Sequence, residues 1–286
     1  MEFAYVGRMP ISRRSASLLA VTASLAALPA VALAVDPGSD PVTGWSWGSD
    51  GNDQLTGTPG DDKICGLGGD DVIDGGAGVD DLRGDGTLLT GVGFTNCDGD
   101  AGPGAGNDTL RSGPGSASQP SDLFGGPGHD TLEGGPDFDF LYGGDGNDRV
   151  RAGGSEGSTR DWLNGTDGND TLTGSSDGDV LSGGAGRNVL KGGAGNDDLY
   201  VPRGKDKGKN KYSAGSGDDY VFSSNGIRER VNCGPGRDQV YPDKRDTLVG
   251  CEKRVTTGPF GPAKERPNFG KPGGGGGGGP RGGGGR

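Results

Sequence analysis

The sequence predicts an all-β fold, a right-handed parallel β-roll or β-solenoid, and three observations predict it. One nine-residue unit, Gly-Gly-x-Gly-x-Asp-x-apolar-x, recurs from Gly48 to Tyr241, with clean copies at 75–83 (GGAGVDDLR), 125–133 (GGPGHDTLE), 143–151 (GGDGNDRVR) and 192–200 (GGAGNDDLY). Of 286 residues, 66 are glycine and only 29% are hydrophobic, too few apolar groups for an ordinary core unless a fixed period stacks them. Outside one apolar stretch near the N-terminus, no window sustains a 3.6-residue period free of glycine, which argues against helix.

Taken in order, the chain opens with Arg13 and Arg14 ahead of an apolar run, Leu18 to Leu33, that ends in Ala32-Leu33-Ala34. A small-x-small ending after such a run is the pattern of a cleaved secretory signal. Residues 1–34 are therefore expected to be a signal peptide, with Met9 as an alternative start and the mature chain beginning near Val35. The paired arginines lack the bulky residues that follow them in twin-arginine export signals. An uncleaved membrane anchor is the competing reading, and after signal removal no segment could span a bilayer. Residues 35–47 read as a short Pro/Gly/Trp linker, 48–252 as the repeat array, and 253–286 as a disordered Gly/Pro/basic tail.

Within the array the apolar positions fall nine apart at Leu55, Ile64, Ile73 and Leu82, lose phase between Gly84 and Gly102, and resume at Leu110. They continue through Leu123, Leu132, Leu141, Val150, Leu163, Leu172, Leu181, Leu190, Leu199, Tyr212, Val221, Val231 and Val240. The intervals 110 to 123, 150 to 163 and 199 to 212 are thirteen residues, as four-residue insertions in turns would give. Insertions in turns cost little, whereas one in a strand would flip its apolar residue outward. The glycine-rich half of each unit is turn chemistry, because glycine tolerates positive φ. The x-apolar-x triplet is a minimal strand with one side chain inward. Two units then make one coil, and units n and n+2 stack about 4.8 Å apart.

Between residues 35 and 252 there are eighteen basic and thirty-eight acidic residues, a charge of −20. So acidic a body resists compaction unless cations neutralise it. Each unit supplies a sixth-position carboxylate: Asp53, Asp62, Asp71, Asp80, Asp108, Asp130, Asp139, Asp148, Asp161, Asp170, Asp179, Asp197, Asp219 and Asp238. Glycine carbonyls lie beside them, and a hard cation that takes six to eight oxygens, Ca2+, suits that donor set. Stacking would pair Asp53 with Asp71, Asp62 with Asp80, Asp130 with Asp148, and Asp179 with Asp197. Zinc and copper are disfavoured because the slots hold no His or Cys, and magnesium because it prefers to keep its waters.

These units resemble the repeats-in-toxin (RTX) nonapeptides, which implies a calcium-filled parallel β-roll that folds outside the cell. The resemblance covers roughly 190 residues, and residues 233–252 are similar to the terminal repeat of secreted actinobacterial members of that group. The chain departs from the pattern where Ser121, Asn188, Asn210 and Glu229 occupy the ligand slot, so weaker or missing sites are expected there. An N-terminal signal also stands in place of the C-terminal signal of RTX toxins.

Cys65, Cys97, Cys233 and Cys251 are an even set in a chain expected to be exported, which favours disulfides. Three pairings are possible, and sequence separation favours Cys65 with Cys97, clipping the out-of-phase insertion, and Cys233 with Cys251, sealing the last coil. Catalytic signals are weak. Gly153-Gly154-Ser155-Glu156-Gly157 fits a serine-hydrolase string but lies in a repeat insertion, and the single histidine, His129, sits at the variable fifth position. No His-Glu-x-x-His occurs. The strings resembling Gly-x-Gly-x-x-Gly lack a strand-turn-helix setting, and the sequons at Asn107 and Asn169 arise from the repeat itself. Asp98 and Asp100 lie in a loop that could bind a further ion or simply be solvated. The basic tail and the Lys205–Lys211 cluster read as a tether and a solvated loop, and nucleic acid is not favoured. The expectation is a secreted, non-enzymatic calcium-binding protein, extracellular or at the cell surface, with a structural or adhesive role and cell-surface or cell-wall components as partners. The competing readings are a calcium-dependent folding or display module of a toxin or hydrolase, for which 35–47 and 253–286 are too short to hold a catalytic domain, and a partner-binding module using the loops at 84–102, 152–161 and 201–211.

Overall fold

The computed structural model describes residues 38–39, 45–89, 94–97, 105–115, 120–154, 160–201 and 208–255. The expected signal peptide, residues 256–286 of the tail, Asp98, Asp100, Ser155 and Lys205 lie outside them.

The described chain is an all-β parallel solenoid. It alternates between a twelve-stranded and a ten-stranded sheet, and successive strands of one sheet come from alternate units. This follows from the nine-residue unit: three strand residues point one apolar group inward, and the glycine-rich turn carries the chain across to the other sheet. In the larger sheet Ile64, Leu82, Leu123, Leu141, Leu163, Leu181, Leu199, Val221 and Val240 are in direct register. In the smaller one Leu55, Ile73, Leu110, Leu132, Val150, Leu172, Leu190, Tyr212, Val231 and Leu248 form the facing column. Every inward residue expected from the periodicity is at most 3% exposed. The core is thus two stacked aliphatic columns joined by Ala152, Val201, Ala214 and Cys233 at the corners.

Register survives the insertions. Thr109 pairs with Thr131, Arg149 with Thr171 and Val189 with Lys211, each four residues beyond the two-unit spacing. The excess is confined to turns, because slipping a strand would move its aliphatic residue to solvent. The out-of-phase stretch contains an element that periodicity does not reveal, an antiparallel hairpin of Thr87–Leu89 with Phe94–Asn96. The Cys65–Cys97 disulfide clips it to the roll. Cys65, Leu67 and Cys97, with Trp45 and Trp47 packed against them, form a second small apolar cluster. At the far end the Cys233–Cys251 disulfide ties the last coil. The edge strand there, Lys253–Arg254, is exposed and charged, which opposes edge-to-edge pairing. No helix among the described residues is long and apolar enough to cross a membrane.

Candidate metal centre

The glycine-rich turns stack into two parallel edges. In the turn at 143–148, Gly144 and Gly146 sit at φ of +114° and +140°, where a side chain would be strained. Leu67 and Thr166 take the second turn position elsewhere, at φ of +85° and +71°.

The aspartate side chains turn in and build a ladder. On the edge leading into the smaller sheet, the peptide N–H of Asp53 donates to Oδ1 of Asp71 at 2.8 Å, Asp71 to Asp108 at 2.7 Å, Asp108 to Asp130 at 2.8 Å, Asp130 to Asp148 at 2.9 Å and Asp148 to Asp170 at 3.0 Å. On the other edge Asp62 donates to Asp80 at 3.1 Å, Asp139 to Asp161 at 2.8 Å, Asp161 to Asp179 at 3.0 Å, Asp179 to Asp197 at 2.7 Å, Asp197 to Asp219 at 2.8 Å and Asp219 to Asp238 at 3.0 Å. All fourteen sequence-derived aspartates fall in these two columns, and the four pairs named from spacing are adjacent rungs.

The exceptional units keep the rung. Ser121 Oγ accepts from Asp80, Asn188 Oδ1 from Asp170, Asn210 Oδ1 from Asn188, and Glu229 Oε1 from Asn210. The ladders end on Asp246 and Glu252, which accept from Glu229 and Asp238. Sequence reading missed both. Asp246-Thr247-Leu248 has the Asp-x-apolar signature, but its seventeen-residue offset from Glu229 hides it. Asp85, also missed, takes the second turn position beside the insertion and accepts from the Gly106 N–H at 3.2 Å. The fifth position, expected to be variable, forms a ladder of its own. Asp70, Asn107, His129, Asn147, Asn169 and Arg187 each donate a peptide N–H to the fifth-position side chain of the preceding coil. His129 is thus a rung, its Nδ1 accepting from Asn147 at 2.9 Å.

One carboxylate oxygen is therefore spent on the backbone, and the second decides what the edge can bind. Among the described residues, Oδ2 of Asp71, Asp108, Asp130, Asp148 and Asp170 on one edge, and of Asp80, Asp197, Asp219 and Asp238 on the other, is buried without a hydrogen-bond partner. At Asp53, Asp62, Asp139 and Asp179 the second oxygen is closed by the N–H of Ser49, Thr58, Gly135 and Ser175, at 2.6, 2.6, 2.7 and 2.6 Å. Leaving buried carboxylate oxygens unpaired is costly, so these rows call for a positive partner.

The first glycine of each unit shapes the receiving space. A methyl group on Gly48 would lie 2.5 Å from Asp53 Oδ2 and 2.6 Å from the Gly66 carbonyl oxygen. Methyl groups on Gly66, Gly84, Gly125 and Gly165 would likewise overlap the carboxylates of Asp71, Asp108, Asp130 and Asp170 and the next coil's carbonyl. Glycine is needed there for space, and it brings a carboxylate and a carbonyl oxygen together. Ala152, Ala214 and Cys233 occupy this first position in the units of Asp161, Asp219 and Asp238, so those turns carry a side-chain carbon where the others carry open oxygen-lined space.

Burial sets the electrostatics. It pushes the carboxyls of Asp71, Asp130, Asp161 and Asp197 up to about 8, Asp139 and Asp170 to about 7, and Asp80, Asp108, Asp148 and Asp219 to about 6. Hydrogen bonds from the ladder N–H groups offset part of this, and neighbouring carboxylates raise most of them further. Asp85 rises to about 7 through burial and the adjacent Asp108. Among the described residues no three Asp, Glu, His or Cys side chains converge on one point. An ion here would draw on carboxylates in pairs, completed by backbone carbonyls. That all-oxygen set fits a hard divalent cation of flexible coordination and does not fit zinc. The residues present therefore fit calcium.

Four segments, residues 47–82, 124–155, 157–190 and 173–207, match the family model described as the RTX calcium-binding nonapeptide repeat. No curated protein matches the chain. RTX nonapeptide repeats bind Ca2+. The matched segments hold eleven of the fourteen ladder aspartates, and the chain is an RTX-type calcium-binding repeat protein.

Proposed function

We propose that this chain is an exported, non-enzymatic β-roll that becomes ordered on meeting extracellular calcium and serves a structural or adhesive role at or beyond the cell surface. The fourteen sixth-position aspartates are the proposed ligands, with the strongest sites on the unbroken row Asp71, Asp108, Asp130, Asp148 and Asp170. The observation that carries this reading is the row of buried, unpartnered second carboxylate oxygens facing glycine carbonyls. Charge repulsion within so acidic a body opposes folding until cations enter, and export would deliver the chain to calcium. The apolar run before residue 35, the even cysteine set and its two disulfides support an oxidising destination. The test is titration of calcium into the chelated mature chain, followed by calorimetry and far-UV circular dichroism. Heat release with a concurrent gain of β signal is expected. A spectrum that is the same in chelator and in millimolar calcium would remove the folding switch, and absence of heat would remove the sites.

A further inference from the structure

The residue in the second position of a unit separates turns that close on themselves from turns that stay open. Ser49, Thr58 and Ser175 hold this place ahead of Asp53, Asp62 and Asp179. In each of these turns the hydroxyl oxygen accepts the fourth-position N–H, from Gly51 at 3.3 Å, Gly60 at 3.1 Å and Asp177 at 3.1 Å. The hydroxyls of Ser49 and Thr58 also donate to the sixth-position Oδ2, at 2.8 and 3.0 Å. The second-position N–H reaches the same oxygen. A carboxylate oxygen already holding two donors has little left for a cation, so these turns are satisfied by their own chain.

Asp85 stands in that second position in the turn that ends in Asp108. Like the three hydroxyl residues, it lies outside the left-handed region that Gly126 and Gly144 occupy one and two coils further on. Its Oδ1 accepts the fourth-position N–H, that of Gly106, at 3.2 Å, so the first half of the hydroxyl pattern is kept. The second half is inverted. Where serine would donate a proton to the sixth-position carboxylate, Asp85 adds a second carboxylate oxygen. Asp85 is 2% exposed and Asp108 1%, and Oδ2 of each is buried without a hydrogen-bond partner. Among the described residues no other turn buries two such oxygens.

Two anionic oxygens sealed in one turn oppose folding unless a cation joins them. The turn offers space and a further donor. A methyl group on Gly84 would lie 2.1 Å from Asp108 Oδ2 and 2.5 Å from the Gly125 carbonyl oxygen, and one on Gly126 would lie 2.7 Å from Asp85 Oδ2. The charge of Asp85 also reaches the rungs on either side, raising the carboxyls of Asp71 and Asp130. Its place in the chain is unusual. Asp85 ends the strand Asp81–Asp85, and the Thr87–Leu89 and Phe94–Asn96 hairpin is inserted between it and Gly106. On the entry side the Gly86 N–H donates to the Leu67 carbonyl at 2.9 Å. An ion shared by Asp85 and Asp108 ties that entry to the turn where the repeat resumes.

We infer that Asp85, a residue outside the repeat pattern, joins Asp108 in holding the tightest calcium ion of this chain, at the base of the inserted hairpin. This rests on the calcium reading above. Affinity at oxygen-lined sites is tuned by the number of charged ligands, and this turn supplies one carboxylate more than its neighbours. The full mature chain is titrated with calcium against a competing chelator, with circular dichroism in parallel. One ion should be retained about tenfold or more tightly than the rest. Asp85→Ser, which restores the hydroxyl pattern of Ser49, should lose that ion alone and keep the β signal in millimolar calcium. Wild-type crystals grown in calcium and soaked in terbium give a readout that needs no variant: an anomalous peak should lie within ligand distance of both Asp85 and Asp108. If Asp85→Ser does not fold, that peak decides. A wild-type chain that takes up no calcium marks failure of the calcium reading. A chain that takes up calcium with no ion set apart from the rest, or whose tightest ion survives Asp85→Ser, overturns this one. So does a metal peak that touches Asp108 and not Asp85.

Discussion

Asp130→Asn should change stability in opposite directions with and without calcium. Asp130 has two separable duties: Oδ1 accepts the Asp108 N–H at 2.8 Å, while Oδ2 is buried and unpartnered. Asparagine keeps the first duty, as Asn188 and Asn210 show one and two coils beyond Asp170 on the same edge. It replaces the second oxygen by an amide N–H2, which cannot ligate a cation. In chelator above pH 8 the wild-type carboxyl, pushed up to about 8 by burial and by Asp108, Asp148 and Asp85, must be buried charged or take up a proton. Removing that cost should stabilise the metal-free roll by at least about 1 kcal/mol. In calcium the variant forfeits an ion. For a site whose Kd lies tenfold below ambient calcium, the loss is about 1.4 kcal/mol. The assay is osmolyte-induced folding in chelator beside thermal melting in millimolar calcium, with stoichiometry from calorimetry. The same sign of change in both conditions, or an undiminished ion count, would refute the division of labour between the two oxygens.

Three further outcomes follow from the same geometry. Gly125 is not in the left-handed region, so Gly125→Ala should act through space alone: its methyl would overlap Asp130 Oδ2 and the Gly143 carbonyl. One ion should be lost, with about 1–3 kcal/mol of overpacking, while Ala152→Gly should lose none; calorimetric stoichiometry decides. For pH, the buried carboxyls titrate at about 6 to 8 in the fold and near 4 unfolded. Protonation therefore favours the metal-free roll, whose stability is full below about pH 4 and is lost as pH rises through about 6 to 8. Circular dichroism of the chelated chain from pH 3 to 9 should show β structure fading upward, and more structure at pH 9 than at pH 4 would sink the idea. Replacing Cys233 and Cys251 together by serine opens a loop of separation 18. It should cost about 3 kcal/mol in calcium, read as a lower melting temperature with the ion count unchanged.

How much of this was legible follows from which interactions repeat with the chain. The aliphatic columns and the aspartate rows recur every nine residues, so Leu132, Leu141 and Asp130 announce their partners by spacing, and both disulfides join the cysteines nearest in sequence. What periodicity could not show was how a carboxylate divides its two oxygens. Ser121, Asn188, Asn210 and Glu229 look like broken sites in sequence, yet each preserves the hydrogen bond that holds adjacent coils together. The first glycine carries the complementary information. Its conformation does not require glycine, but the oxygens around it do, and that becomes visible only when the coils are stacked. The same holds for the fifth position, where Asn, Asp and His look interchangeable until each is seen to accept the next coil's N–H. Residues that bind across coils are chosen for an acceptor atom, not for a side-chain type. A selection for one oxygen or nitrogen at a fixed place leaves the residue name free to vary, and so escapes a pattern written in residue names.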